Sequence, residues 1–263
     1  MNIVENDSSL EPVPGDYPGL KKGEVSTGTT IMAVPLKDGV VFGADSRVST
    51  GSYVANRTSD KIVQLSQSIF ACRSGSAADT QTLTDYVRFY LQQLSYVKKM
   101  ILVDEMKINC FVSFCFLTIH CNVLCAPNSI ETGRPPRVKT AAHLMARLCY
   151  ENKDNLLAGV IIGGWDPVDG ASVFNIPLGG SCLEVPFALS GSGSTYIWGL
   201  VDAEFRADMT LEQGRALVKK AISHAMARDG SSGGVIRTVV VTPDGYDRDY
   251  TPGNALPFGP TSY

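Results

Sequence analysis

The stretch Gly28-Thr29-Thr30-Ile31-Met32-Ala33-Val34 puts a hydroxyl directly after a glycine, between a polar leader and a run of strand-like segments. Read alone, it is an edge strand entered through small residues. Its chemistry changes if the chain is cut after Gly28, because Thr29 would then carry a free α-amino group beside its own hydroxyl. A hydroxyl is a weak nucleophile and needs a base within hydrogen-bond reach. An α-amino group titrates at about 7.7–8.0, so near neutral pH part of it is free to accept a proton. One residue would then hold both nucleophile and base. Histidine-based catalysis has no such support: His120, His143 and His224 sit in no recognisable Ser or Cys motif.

The elements that must position Thr29 follow from patterning. Residues 1–28 carry Pro12, Pro14, Pro18, Gly15 and Gly19 with little apolar periodicity, which reads as a flexible leader, and as a removable propeptide once Thr29 is considered. Thr29–Leu36, the turn Lys37-Asp38-Gly39 and Val40–Asp45 predict a β-hairpin. Tyr53–Asn56 and Ile69–Arg73 read as short strands around the polar stretch Arg57–Lys61. Leu83, Val87, Tyr90, Leu91 and Leu94 recur at helical spacing and predict a helix over Ala77–Leu94. Ala141, Leu144, Met145, Leu148 and Cys149 do the same for Val138–Lys153.

Strands are expected at Leu157–Trp165, Ser172–Pro177 and Leu183–Leu189, before the loop Ser190-Gly191-Ser192-Gly193-Ser194. Helices are expected over Ser194–Arg206 and Leu211–Arg228, the latter opened by Thr210 with Gln213 three residues on. The chain closes with strands at Gly234–Val241 and Tyr246–Thr251 around a Pro243-Asp244-Gly245 turn. No βαβ alternation is present, which disfavours a parallel doubly wound sheet. Two antiparallel sheets with helix pairs outside them fit the order best.

A composition of 44% hydrophobic and 19% charged residues is that of an ordinary globular chain with room for a large core. A formal net charge of −3 argues against a nucleic-acid or membrane-surface role. No positively charged start precedes an apolar run, so a secretory signal is not expected, and the cysteines are expected to be reduced thiols.

One segment, Tyr96–Ser129, does not belong to this pattern. From Ile108 to Ile130 it carries no formally charged residue, which raises a membrane span. A span would have to leave and re-enter one compact domain. Cys110, Cys115, His120, Cys121 and Cys125 raise a metal site, but their spacing lacks the C-x₂-C pairs typical of zinc. An inserted loop, or residues from a mis-spliced gene, is the favoured reading, with no metal expected.

Several separated motifs carry a family resemblance. Thr29-Thr30-Ile31-Met32-Ala33-Val34, Gly43-Ala44-Asp45-Ser46-Arg47, Ala55-Asn56-Arg57 with Asp60-Lys61, and Cys72-Arg73-Ser74-Gly75-Ser76-Ala77-Ala78-Asp79 resemble the β-type subunits of the eukaryotic proteasome. So do Gly163-Gly164-Trp165-Asp166, Gly191-Ser192-Gly193-Ser194 and Arg228-Asp229-Gly230-Ser231-Ser232-Gly233-Gly234. The similarity runs from about Thr29 to about Gly253, interrupted by the segment above. It implies the α+β fold of N-terminal nucleophile (Ntn) hydrolases, a four-layer αββα sandwich with two antiparallel sheets between helix layers. It divides the chain into a propeptide, 1–28, and a β-type domain, 29–263, with an atypical insertion at 96–129.

The resemblance also implies roles. Thr29 would be the nucleophile of a threonine protease, released by autolysis of the Gly28–Thr29 bond. Lys61 would lie beside its hydroxyl and lower the proton affinity of the amine. Asp45 would pair with Lys61; without the family, these two read as a structural ion pair. Gly75 would supply the oxyanion N–H. Ser192, Asp229 and Ser232 would hold the new N-terminus.

Arg73 would sit at the base of the S1 pocket and favour Asp or Glu before the scissile bond, a caspase-like preference. Val48 and Val63 occupy pocket-wall positions where related chains carry threonine, which leaves the finer preference open. Partners would be the other α and β subunits, in seven-member rings stacked into a twenty-eight-subunit core, and polypeptide substrates. No cofactor would be needed, and the location would be cytoplasm and nucleus. A non-catalytic wall subunit, or a non-assembling variant owing to the insertion, is the competing reading.

Overall fold

The structure, a computed structural model, describes residues 28–50, 53–103 and 135–259. Twelve strands and four α-helices follow one another in it. β1 (Ile31–Leu36), β2 (Gly39–Ala44), β3 (Val48–Thr50), β4 (Tyr53–Asn56), β5 (Ile62–Ser66) and β6 (Ile69–Gly75) come first. Helices α1 (Ala77–Val103) and α2 (Val138–Glu151) lead to β7 (Ala158–Asp166), β8 (Gly170–Ile176), β9 (Leu183–Glu184) and β10 (Ala188–Ser190). A 3₁₀ turn (Ser192–Tyr196), α3 (Trp198–Glu204), α4 (Leu211–Arg228), β11 (Ile236–Thr242) and β12 (Gly245–Thr251) complete the order.

Two five-stranded antiparallel sheets form, in the orders β10-β1-β2-β11-β12 and β5-β6-β7-β8-β9. Successive side chains of a strand point to opposite faces, and here both faces are covered. Ile31 and Ala33 of β1 pack between the sheets with Phe42, Phe70, Cys72 and Ile161. Met32 and Val34 turn the other way, onto Val218, Ala221 and Ile222 of α4. Val160 and Ile162 of β7, in the second sheet, face away from the first sheet, onto Val87 of α1 and Met145 of α2. The layers are therefore helix, sheet, sheet, helix, the expected four-layer sandwich. Burial on two faces is why these strands read as apolar runs rather than as strict alternation.

The helix ends are anchored in different ways. Thr210 accepts from the Gln213 backbone N–H, and the Gln213 side chain accepts from the Thr210 N–H, so the capping box read from sequence is formed. The first turn of α2 has no side-chain cap of its own. The buried Asp166 at the end of β7 supplies one, accepting from the Val138 N–H at 3.1 Å while its other oxygen accepts from Val168 and Asp169.

Several boundaries differ from those expected. β5 (Ile62–Ser66) lies where no strand was expected, with a register shift between Gln64 and Ser66 that blurs its alternation. The strand expected over Leu183–Leu189 is two strands belonging to different sheets. Pro186 lies between them, and a residue without an N–H cannot continue a ladder. The helix expected over Ser194–Arg206 is a 3₁₀ turn followed by the seven-residue α3. Helix α1 continues past Leu94 to Val103, so the backbone of the first residues of the anomalous segment is helical.

The rest of that segment, with Cys110, Cys115, His120, Cys121 and Cys125, lies outside the described residues, as does the leader before Gly28. Among the described residues no helix is long and apolar enough to cross a membrane, and no three metal-ligating side chains cluster.

Candidate active site

Thr29 lies at the entry to β1, at the end of the sandwich where Asp45 follows β2 and β6 terminates in Gly75. The hairpin register sets Ile31 against Ala44, and Asp45 follows directly. Thr30 and Asp45 then bond reciprocally, the Asp45 N–H donating to the Thr30 carbonyl at 3.1 Å and the Thr30 N–H to Asp45 Oδ1 at 2.9 Å. The Asp45 carboxylate is wholly buried and further accepts from the backbone N–H groups of Arg47 and Gly233. Three backbone donors satisfy it, as burial of a polar group requires.

Lys61 stands immediately before β5. Its ammonium donates to Asp45 Oδ1 at 2.8 Å, to Thr29 Oγ1 at 3.0 Å and to the Gly28 carbonyl at 3.0 Å. Three hydrogens meet three acceptors. Only 4% of Lys61 is exposed, and burial lowers its pKa below the ordinary lysine value, with Asp45 opposing that shift. A lysine in this setting releases a proton more readily than one in water. Thr29 Oγ1 donates to the Gly28 carbonyl at 2.8 Å, so that carbonyl receives both the hydroxyl and the ammonium. Gly28 itself tolerates no side chain, because a Cβ would lie 2.0 Å from that of Ser231.

On the other side of Thr29 a second set converges. The Thr29 N–H donates to Ser192 Oγ at 3.1 Å, and Ser192 donates to Asp229 Oδ2 at 2.7 Å. Ser232 Oγ donates to the same oxygen at 2.6 Å, while the Ser231 N–H holds Oδ1. Ser192 comes from the 3₁₀ turn after β10, and Asp229 caps the C-terminus of α4. Elements distant in the chain thus meet on one backbone nitrogen.

Thr29, Val48, Lys61, Arg73 and Gly75 line one cleft, together with Ser59, Ala77 and Thr80. Gly75 has φ +104°, and a Cβ there would lie 2.3 Å from the Leu157 carbonyl oxygen, so the position requires glycine. The half-buried Arg73 donates through Nη2 to the Asp60 carbonyl at 2.9 Å. The Asp60 carboxylate is taken up by Arg248 Nη1 at 2.8 Å and by the Ile62 N–H at 3.0 Å. Burial pulls the Arg73 pKa down, but a guanidinium keeps its proton in proteins.

Of the residues singled out from sequence, the structure gathers Gly28, Thr29, Asp45, Lys61, Ser192, Asp229 and Ser232 into one hydrogen-bonded cluster, with Arg73, Gly75 and Val48 along its cleft. Val63 is not in that cleft; it sits on β5 opposite Ala71. Two participants went unread. Gly233 donates to Asp45, and Thr30 bonds to both Asp45 and Ser232. The doubled threonine was the only available signal for Thr30, and it reads equally as β propensity.

The sequence of this chain has extensive relatives. The proteasome subunit family matches residues 25–112 and 116–241. The chain is 45% identical over 231 residues to proteasome subunit beta type-6 of Arabidopsis thaliana, covering 88% of this chain and 84% of that one. It is 44% identical over 233 residues to proteasome subunit beta type-1 of Saccharomyces cerevisiae, covering 89% and 92%. Proteasome subunit beta type-9 of Rattus norvegicus is 39% identical over 246 residues, covering 94% and 95%. With the sandwich and the matched span in agreement, the chain belongs to the proteasome subunit family, as one of its β-type members.

Proposed function

We propose that this β subunit is a threonine endopeptidase that cleaves polypeptides after acidic residues, with Thr29 as nucleophile. The observation that carries the reading is Lys61 Nζ at 3.0 Å from Thr29 Oγ1 and 2.8 Å from the buried Asp45. The Thr29 hydroxyl attacks a carbonyl carbon as its proton passes to the Lys61–amine side. The oxyanion that forms is stabilised by the Gly75 N–H. Collapse returns the proton to the leaving amine, leaving an ester on Thr29 that water hydrolyses.

Removal of the leader uses the same parts. The Gly28 carbonyl is the first acyl group presented to Thr29, already polarised by Lys61. Cleavage of that bond frees the α-amino group, which inherits the Ser192–Asp229–Ser232 bonds of the present amide. Residues 1–28 are then a propeptide.

Specificity for Asp or Glu rests on Arg73. Because the Asp60 carboxylate is committed to Arg248 and the Ile62 N–H, the guanidinium retains positive charge for a substrate carboxylate. The subunit works inside the stacked α and β rings its family name implies, beside other proteasome subunits.

Intact-mass measurement of the subunit isolated from assembled particles tests this. A mass beginning at Thr29 is expected, with Thr29→Ala retaining the leader and losing the post-acidic activity. A mature subunit that keeps residues 1–28 would overturn the catalytic reading and leave a wall subunit of the β ring.

A further inference from the structure

Thr30 is fully buried and lies between the two halves of the site. Its N–H donates to Asp45 Oδ1, the acceptor that also holds Lys61. Its hydroxyl lies 2.7 Å from Ser232 Oγ. Counting hydrogens settles the direction of that second bond. A carboxylate only accepts, and a serine hydroxyl carries one hydrogen. Ser232 spends that hydrogen on Asp229 Oδ2, so in its contact with Thr30 it accepts and Thr30 donates. Ser192 donates to the same oxygen at 2.7 Å, in preference to the Thr29 carbonyl at 3.3 Å, which leaves its lone pair for the Thr29 nitrogen. The network therefore has one orientation, running from the Thr30 hydroxyl through Ser232 to Asp229.

We propose that Thr30 is a positioning residue for the reaction, whose hydroxyl donates to Ser232 and thereby sets the carboxylate that holds Ser192 on the nitrogen of Thr29. This inference rests on the Thr29 reading above and goes beyond it. A hydroxyl that receives a hydrogen bond becomes a stronger donor. Thr30 thus strengthens the Ser232 bond to Asp229 and draws negative charge away from the oxygen facing Ser192. Without that donor, Asp229 presents more charge toward the α-amino group. The amine then holds its proton to higher pH and is a free base over a narrower range. Thr30 touches no substrate; it acts through Ser232 and Asp229.

The test uses assembled particles carrying Thr30→Val, Thr30→Ala or Thr30→Ser, assayed on a post-acidic peptide across pH, with the mass of the subunit checked in each. Both hydroxyl-free variants are expected to assemble and begin at Thr29. Their KM is expected to stay near that of the parent, kcat to fall roughly tenfold, a part of the about 10²–10⁴-fold that positioned proton transfer supplies, and the acidic limb of the profile to move to higher pH. Thr30→Ser is expected to recover the parental profile. An unmoved limb in either hydroxyl-free variant, the same shift in Thr30→Ser, or failure of both hydroxyl-free variants to assemble would overturn the inference. A parent subunit that keeps its leader would instead overturn the Thr29 reading itself, so the two failures are distinguishable.

Discussion

At the scale of single residues, two side chains carry the contrast between burial and chemistry. Lys61 and Asp45 form an ion pair with almost no exposure. Such a pair is poor evidence for stability, since desolvation offsets the attraction, but breaking it leaves an uncompensated charge. Lys61→Met is expected to abolish peptidase activity and to destabilise the subunit by about 3 kcal/mol, the low end for an orphaned buried charge, because three backbone donors still hold Asp45. The sign of the pH effect follows from the lowered lysine pKa. Between that folded value and the ordinary 10.5 the unfolded chain binds more protons, so the contribution of Lys61 to stability rises with pH through that window. Urea midpoints of parent and Lys61→Met should therefore respond differently to pH there. Arg73→Gln removes a charge-assisted bond worth about 1.5–3 kcal/mol, so kcat/KM on post-acidic peptides is expected to fall roughly 10- to 100-fold. Peptides with neutral P1 residues should be little affected, and a peptide panel checks it.

At the scale of elements, some anchors are local and others are not. The capping box of α4 is visible as Thr210 and Gln213 because its parts are three residues apart. The anchor of α2 is invisible locally, because Asp166 reaches the Val138 N–H from a different element. Asp166 is 1% exposed and satisfies three backbone donors, so its loss strands the buried Val138 N–H and removes the bonds to Val168 and Asp169. Asp166→Ala is expected to cost about 3 kcal/mol, against about 1 kcal/mol for Thr210→Ala at its exposed cap. Thermal unfolding of the two variants checks the order. The same distinction explains the misread boundaries. Pro186 separates β9 from β10 in plain view, yet that the two pieces join different sheets depends on partners far along the chain.

At the scale of the whole molecule, the four layers bring the end of β2, the start of β5, the end of β6, the turn after β10 and the end of α4 to one point. The central strands β1, β2, β6 and β7 are buried on both faces, and the polar groups of the site gather where strands and helices end. The buried polar cluster of Thr29, Thr30, Asp45, Lys61, Asp229 and Ser232 sits at those ends. The family match runs into the anomalous segment from both sides and leaves out only residues 113–115 of it. If Tyr96–Ser129 comes from a mis-spliced gene, the mature mass that tests the Thr29 reading will lack it; a mass containing it would make it a true insertion that begins within α1.

What the sequence determined by itself was the hairpin that opens on Thr29, the glycine before it, the amphipathic helices, the capping box and the order of elements that excludes a parallel sheet. These depend on neighbours within a few residues, where periodicity and turn chemistry operate. The motifs also marked Asp45, Lys61, Ser192, Asp229 and Ser232 as a set, by resemblance rather than by any local rule. Only the tertiary structure decided that Val63 pairs with Ala71 on β5, that the Asp60 carboxylate is bonded by Arg248 and the Ile62 N–H, and that Ser232, donating to Asp229, meets the Thr30 hydroxyl. Those facts rest on which atoms meet across large separations in the chain, and on the single hydrogen each hydroxyl has to give.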